Sequence, residues 1–259
     1  MITSRKRLPT HTFLASLGKT VLRPGGKATT QRLLDACQLH KDVKILEIAP
    51  NMGTTAIHIA KTYGATITGI DINKEAVAKA NENIASYGLQ HLISVTHGNA
   101  TALPFEDNSF DVVLNEAMLS MLPNELKAKA LKEYFRVLKP GGFVATHDLL
   151  VKKEIPELEQ ELKELQDLIV IKAQPLKFEN WVAQFEQAGF EQMDALPGEL
   201  DLLSFKGLLN DEGIDGIIRI CENAKKNEAD FQYFTELVNE FDEKRNYFGH
   251  ISVVARKPQ

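Results

Sequence analysis

The strongest constraint in this chain is an alternation of two hydrophobic periods. Short apolar runs, VKILEI (43–48), TITGID (66–71), LISVTHG (92–98), FDVVLNEA (110–117) and FVATHDL (143–149), read as strands, and segments with helical spacing lie between most of them. Residues 54–63 form the first helical segment. NKEAVAKANENIASYG (73–88) is the second, with Val77, Ala80 and Ile84 on one face and Asn73 as its N-cap. PNELKAKALKEYFRVL (123–138) is the third and stops at KPGG. Strands alternating with helices build a parallel sheet covered on both faces, and such strands must be apolar on both sides, as VVL and ILEI are. The expected class is therefore α/β. Loops at the C-terminal strand ends line the ligand crevice of such sheets, which brings residues 47–55, Asp71, Asn99 and Asn115 to one edge.

After residue 149 the rhythm changes. Residues 152–171 carry a helical stripe of Leu158, Leu162, Leu165, Leu168 and Ile169, set against the sheet or over the crevice. In FENWVAQFEQAGF (178–190), Trp181 and Phe185 stand four apart, a core-packing spacing. FEQMDAL (190–196) and HISVVARK (250–257) read as two further strands. Between them, residues 201–244 hold apolar helical stripes broken at NDEG (210–213) and KKNEAD (225–230), suggesting a helical cap insert. The organisation expected is a basic lead or lid over residues 1–27 and one domain over 28–259.

That lead carries Arg5, Lys6, Arg7, Lys19, Arg23 and Lys27 and precedes the first acidic residue, Asp35. It could close over an anionic acceptor, steer a cofactor carboxylate, touch nucleic acid, or lie solvated as a tail. Within it, LRPGGKATT suggests a turn into a helix bearing Leu33 and Leu34, with Thr29 or Thr30 as cap. A formal charge of -5 over 259 residues gives no general attraction to phosphate backbones, so nucleic acid is a disfavoured partner. Cys37 and Cys221 are far apart and fall on apolar helical faces, which reads as buried thiols rather than a disulfide or zinc site. No metal-ligand spacing stands out, and no apolar run approaches a membrane span or a secretion signal, so a cytoplasmic setting is expected.

The turn EIAPNMGTT (47–55) holds one glycine where nucleotide-binding turns usually hold three. Ala49, Asn51 and Gly53 occupy the three places. Ala49 is small, Asn51 tolerates left-handed torsions, and Gly53 keeps the position that packs the helix. The turn departs from the dinucleotide fingerprint, which weighs against a nicotinamide-dependent dehydrogenase, and it has no Lys-Ser or Lys-Thr pair for a phosphate loop.

With GNATALPFEDNSFDVVLNEAMLSML (98–122) and FRVLKPGG (135–142), the stretch from Val43 to Ala80 resembles the class I methyltransferases that use S-adenosylmethionine. The resemblance runs from about Gly26 to Leu149 and more loosely to the last strand. It implies a Rossmann-like fold with an antiparallel final strand, S-adenosylmethionine as cofactor, and methyl transfer to an unidentified small molecule. Glu47, Ala49 and Gly53 then lie beside the methionine part of the cofactor, Asp71 takes the ribose hydroxyls, Ile72 meets adenine, and Asn99 and Ala100 follow strand three. Asn115 and Glu116 stand near the transferable methyl. Taken alone, Asp71 also suits helix capping, and Asn115 a loop-stabilising amide. Pro104 and Phe105 shape the base side or simply pack a turn.

Methyl transfer needs an in-line acceptor and a dry site, with a base only where the acceptor must lose a proton. Glu116, His147 and His250 are candidates, with His147 preferred because it follows strand five. His58, inside a helix, packs or faces solvent. The insert, the lead and the region of Tyr247 and Phe248 could form a partly apolar acceptor pocket. The other readings are a catalytically inactive S-adenosylmethionine-binding or interaction module and a nicotinamide-dependent dehydrogenase.

Overall fold

A computed structural model of the protein describes residues 9–259, so Arg5, Lys6 and Arg7 of the lead lie outside the described residues. The parallel part of the sheet is built from β1 (Lys44–Ile48), β2 (Thr66–Asp71), β3 (Ile93–His97), β4 (Phe110–Glu116) and β5 (Leu138–Val151). Five further segments complete the alternation around it: α2 (Gly26–Ala36), α3 (Thr54–Tyr63), α4 (Lys74–Ser86), α5 (Asn124–Val137) and α7 (Phe178–Gln187). Asn73 caps α4 as expected, its Oδ1 accepting from the amides of Glu75 at 2.9 Å and Ala76 at 3.3 Å.

The strand order is β3-β2-β1-β4-β5-β8-β7, with β7 (Glu191–Glu199) and β8 (Phe248–Arg256) antiparallel additions. The last strand thus lies between β5 and β7 rather than at the edge. Winding reverses direction between β1 and β4, and Ile48 pairs with both Ile70 and Asn115 across that point. A crevice opens where such a reversal splays the following loops apart.

Three apolar clusters fill the molecule. On one face, Leu33, Leu34, Ile59, Ala80 and Ile84 cover the sheet. On the other face Leu131, Tyr134, Trp181 and Phe185 do so, and the Trp181 indole N–H donates to the Leu149 carbonyl at 3.0 Å. The third cluster sits over the C-terminal end of β5 and the N-terminal end of β8, which pair at Val151 and Phe248. It joins α1 (Thr10–Ser16), α6 (Leu158–Ile169), α8 (Phe205–Lys225) and α9 (Glu228–Lys244) through Phe13, Leu14, Leu165, Leu237 and Phe241. The cap is therefore made jointly by lead and insert.

Some local expectations need correction. Helix α2 starts at Gly26, one turn before the expected threonine cap and inside the expected lead; Thr29 and Thr30 lie within it, with hydroxyls bonded back to the Gly25 and Gly26 carbonyls. KPGG does not separate helix from strand, because β5 begins at Leu138 paired with Phe110, with a register shift before Val112 meets Phe143. The break expected at NDEG is present: two helical stretches of α8 meet across a kink at Gly213, φ 68° and ψ 177°. The two-residue strand β6 (Leu176–Lys177), which pairs with β5, has too few residues to show a period. Cys37 is buried, and burial pushes its thiol up to about 12; Cys221 is half-buried on α8.

Candidate active site

The turn after β1 keeps a nucleotide-loop geometry without its glycines. Ala49, Asn51 and Gly53 all have positive φ, at 54°, 50° and 72°. Two hydrogen bonds hold this path: Ala49 N–H donates to the Ile70 carbonyl and Gly53 N–H to the Pro50 carbonyl, each at 2.8 Å. Asn is among the residues that enter the left-handed region most readily, whereas Ala49 is strained there and is held by its bond to β2. Asp71, buried at the end of β2, braces the same loop. Its carboxylate accepts from the Asn51 amide at 3.3 Å and from the Asn73 amide at 2.8 Å. Next to it, Ile72 stands 70% exposed at the mouth of the crevice.

These residues form one end of a cavity of about 560 Å³. Glu47, Ala49, Asp71 and Ile72 lie on its wall, as does Glu116. Asn99, Ala100, Asn115, Gly53 and His147 are not on the wall. Asn99 is exposed, and its side-chain oxygen accepts from the amide and hydroxyl of Thr101, a local turn bond. Asn115 is fully buried and donates to the Thr146 hydroxyl at 2.8 Å. The amide of Asn115 is thus structural, as in the alternative reading, but it bridges two strands, β4 and β5, rather than bracing a loop.

Glu116 is the hub. Its Oε1 accepts from the Thr30 hydroxyl at 2.5 Å and from His147 Nδ1 at 3.2 Å, and it pairs with Arg23 Nε at 3.2 Å; Oε2 accepts from Thr55 at 3.1 Å. Burial alone would push this carboxyl up. Arg23, His147 and Thr30 outweigh it and hold Glu116 down to about 2. Glu47 goes the opposite way: burial, then repulsion from Glu116, pushes it up to about 8, against the opposing pull of Arg23 and the Ala56 amide. Its Oε2 is buried and has no hydrogen-bond partner.

His147 is not poised as a base. The Gly25 amide donates to its Nε2 at 2.8 Å, so the ring proton sits on Nδ1 and is donated to Glu116. Burial pushes its pKa down to about 4 despite the adjacent carboxylate. Its ring packs edge-on against His250 at 5.1 Å, and His250 in turn bonds the Glu199 carbonyl and Thr29. His58 is exposed, beside Gln31 at 3.3 Å. Sequence reading included Arg23 only as one charge of a basic lead, and gave no role to His11 or Leu22 on the wall; their signal lies in a fold-back that sequence periodicity does not record. Among the described residues, no group of three or more His, Cys, Asp or Glu is arranged to hold a metal ion, and no helix is long and apolar enough to cross a membrane.

Residues 45–142 match the family model described as a methyltransferase domain. An uncharacterized protein of Haemophilus influenzae is 45% identical over 247 residues, covering 95% of this chain and 97% of its own. The chain belongs to the class I methyltransferase family. Among relatives in that family, the glycine/sarcosine/dimethylglycine N-methyltransferase of Actinopolyspora halophila is 30% identical over 138 residues. The match covers 53% of this chain but 24% of that enzyme, so it spans about a quarter of that relative's length. Phosphoethanolamine N-methyltransferase 2 of Haemonchus contortus, solved with S-adenosyl-L-methionine, shares the methyltransferase fold at a TM-score of 0.73 and 18% identity, over 99% of this chain and 59% of that one.

Proposed function

We propose that this protein transfers a methyl group from S-adenosylmethionine to a small molecule held in the same cavity. One observation carries the reading: a single cavity runs from the strained turn and Asp71 to a chamber under the cap, with Glu116 on its wall.

The residues present suit the cofactor. The unpartnered Glu47 Oε2 offers a buried acceptor for an ammonium group, and Asp71 is an acidic group at the strand end that suits a ribose diol. Ile72 offers an apolar face to a base. When bound, the cofactor supplies a sulfonium-activated methyl that a nucleophile displaces in line. The protein's part is to bind, align and exclude water. Glu116, ionised and fixed by four neighbours, places a negative charge on the wall where a cationic cofactor and its acceptor meet. His147 positions Glu116, and Asn115 ties β4 to β5 behind it. The lead acts as a lid, bringing Arg23 onto Glu116 and the Gly25 amide onto His147.

Calorimetric titration with S-adenosylmethionine, S-adenosylhomocysteine and NAD tests the cofactor. Both sulfur compounds should bind, and Asp71→Ala should weaken them about tenfold or more through loss of charge-assisted hydrogen bonds. Saturable NAD binding with neither sulfur compound bound would sink the proposal. Turnover of methyl-labelled cofactor in a metabolite extract tests the reaction. Binding without any labelled product would favour the inactive module.

A further inference from the structure

Among the described residues, the four charged side chains on the cavity wall, Arg23, Glu47, Asp71 and Glu116, come from the lead or from the ends of β1, β2 and β4. Among the described residues, the cap contributes no charged side chain to the wall from its helices α1, α6, α8 and α9. Its share of the wall is Leu165 and Ile169 from α6, Phe241 from α9 and Leu200 from the loop before α8, facing Met118 and Leu149 from the sheet side. Leu165, Leu200 and Phe241 are at most 3% exposed, so this is a built apolar chamber and not a surface depression. Among the described residues of the cap helices, the titratable one on the wall is His11, and burial pushes its imidazole pKa below the ordinary value, which favours the neutral ring.

We infer that the acceptor is an uncharged, largely hydrocarbon molecule with a single polar group, held against Leu165, Ile169 and Phe241, and not an amino acid or other zwitterion. The inference rests on the methyltransferase reading and names the substrate class of that site. A zwitterion brings a carboxylate that must be paired once it leaves water, and burying it unpaired is costly. Among the described residues, the one cationic side chain on the wall, Arg23, is already paired with Glu116 at 3.2 Å and bonded to Thr55 at 3.0 Å. A hydrocarbon body brings no polar group to be desolvated and gains about 25 cal/mol for each Å² of apolar surface it buries. A lone hydroxyl on it has the Thr20 hydroxyl or the His11 ring as a partner on the wall. In the transfer step, the acceptor's lone pair forms the bond to the methyl carbon as the carbon–sulfur bond breaks, and the sulfur keeps that electron pair as a neutral thioether. A hydroxyl acceptor gives up its proton to His11 or to water.

The test is calorimetric titration of the full chain with 4-hexylphenol, glycine and sarcosine, each with and without saturating S-adenosylhomocysteine. Saturable 4-hexylphenol binding is expected, with glycine and sarcosine silent. Ile169→Asp and Ile171→Asp, at half-buried wall positions, should each weaken 4-hexylphenol about tenfold or more by placing a charge in its site, while S-adenosylhomocysteine affinity stays at the wild-type value. Glycine or sarcosine binding, absence of 4-hexylphenol binding, or unchanged 4-hexylphenol affinity in both variants overturns the inference. If 4-hexylphenol binds as expected but S-adenosylhomocysteine does not, the chamber assignment stands and the methyltransferase reading fails.

Discussion

Two neighbouring carboxylates in this site are driven in opposite directions. Glu116 is held ionised by Arg23, His147 and Thr30, while Glu47, with one oxygen unpartnered, is held protonated. Because the folded chain keeps a proton on Glu47 that the unfolded chain releases, Glu47 lowers stability progressively as pH rises from about 4.5 to about 8. Glu47→Gln should therefore raise the melting temperature of the free protein more at pH 8 than at pH 5, and should weaken S-adenosylhomocysteine. A melting difference that does not vary with pH would reject the assignment. Gly25 makes a second case. A Cβ there would lie 2.6 Å from the His250 ring and 2.5 Å from the Thr29 hydroxyl. Gly25→Ala should cost about 1–3 kcal/mol in urea unfolding and disturb the amide bond to His147; wild-type stability would show that the histidine pair yields freely. That Asp71 and Ala49 meet at one crevice was legible in the sequence because both stand at strand ends. Arg23 was not, since a basic residue in a lead has no partner until the chain folds back.

At the scale of elements, the lead and insert are locked to each other. Glu212, next to the break in α8, accepts from the Thr20 amide at 2.8 Å, the Thr20 hydroxyl at 2.9 Å and the Val21 amide at 3.1 Å. Asp211 accepts from the Lys27 amide at 2.8 Å, and the buried Lys19 ammonium lies 3.6 Å from both carboxylates. At that separation burial outweighs the pairing and lowers the Lys19 pKa. Glu212→Ala removes three bonds from the lead and one neighbour from Lys19. It should destabilise the protein by about 2 kcal/mol and speed amide exchange across residues 19–25. Exchange there at the wild-type rate would show that the lead is held elsewhere. The alternating strands and helices, the helical nature of 201–244 and the packing role of Trp181 could all be read from periodicity. Helix α1 has seven residues, two turns at most, and its identity comes from Phe13 and Leu14 meeting the cap rather than from any repeat.

For the whole molecule, a ligand that binds only the folded chain must stabilise it. S-adenosylhomocysteine at about one hundred times its dissociation constant should add about 2.7 kcal/mol, and so raise the melting temperature by about 5–10 °C in a chain of this size. A melting curve unmoved at that concentration contradicts binding to the folded state. The placement of β8 carries a consequence for synthesis. Of the eight strands it is the last to leave the ribosome, yet it pairs with β5 on one side and β7 on the other. Until residues 248–256 emerge, β5 keeps an open edge and β7 has no neighbour in the sheet. A nascent chain therefore carries a pairing-competent strand edge from the completion of β5 until β8 emerges, the kind of surface that recruits chaperones or other copies. Ribosome-bound chains arrested before Phe248 should be aggregation-prone, and emergence of residues 248–256 should close the sheet in one step.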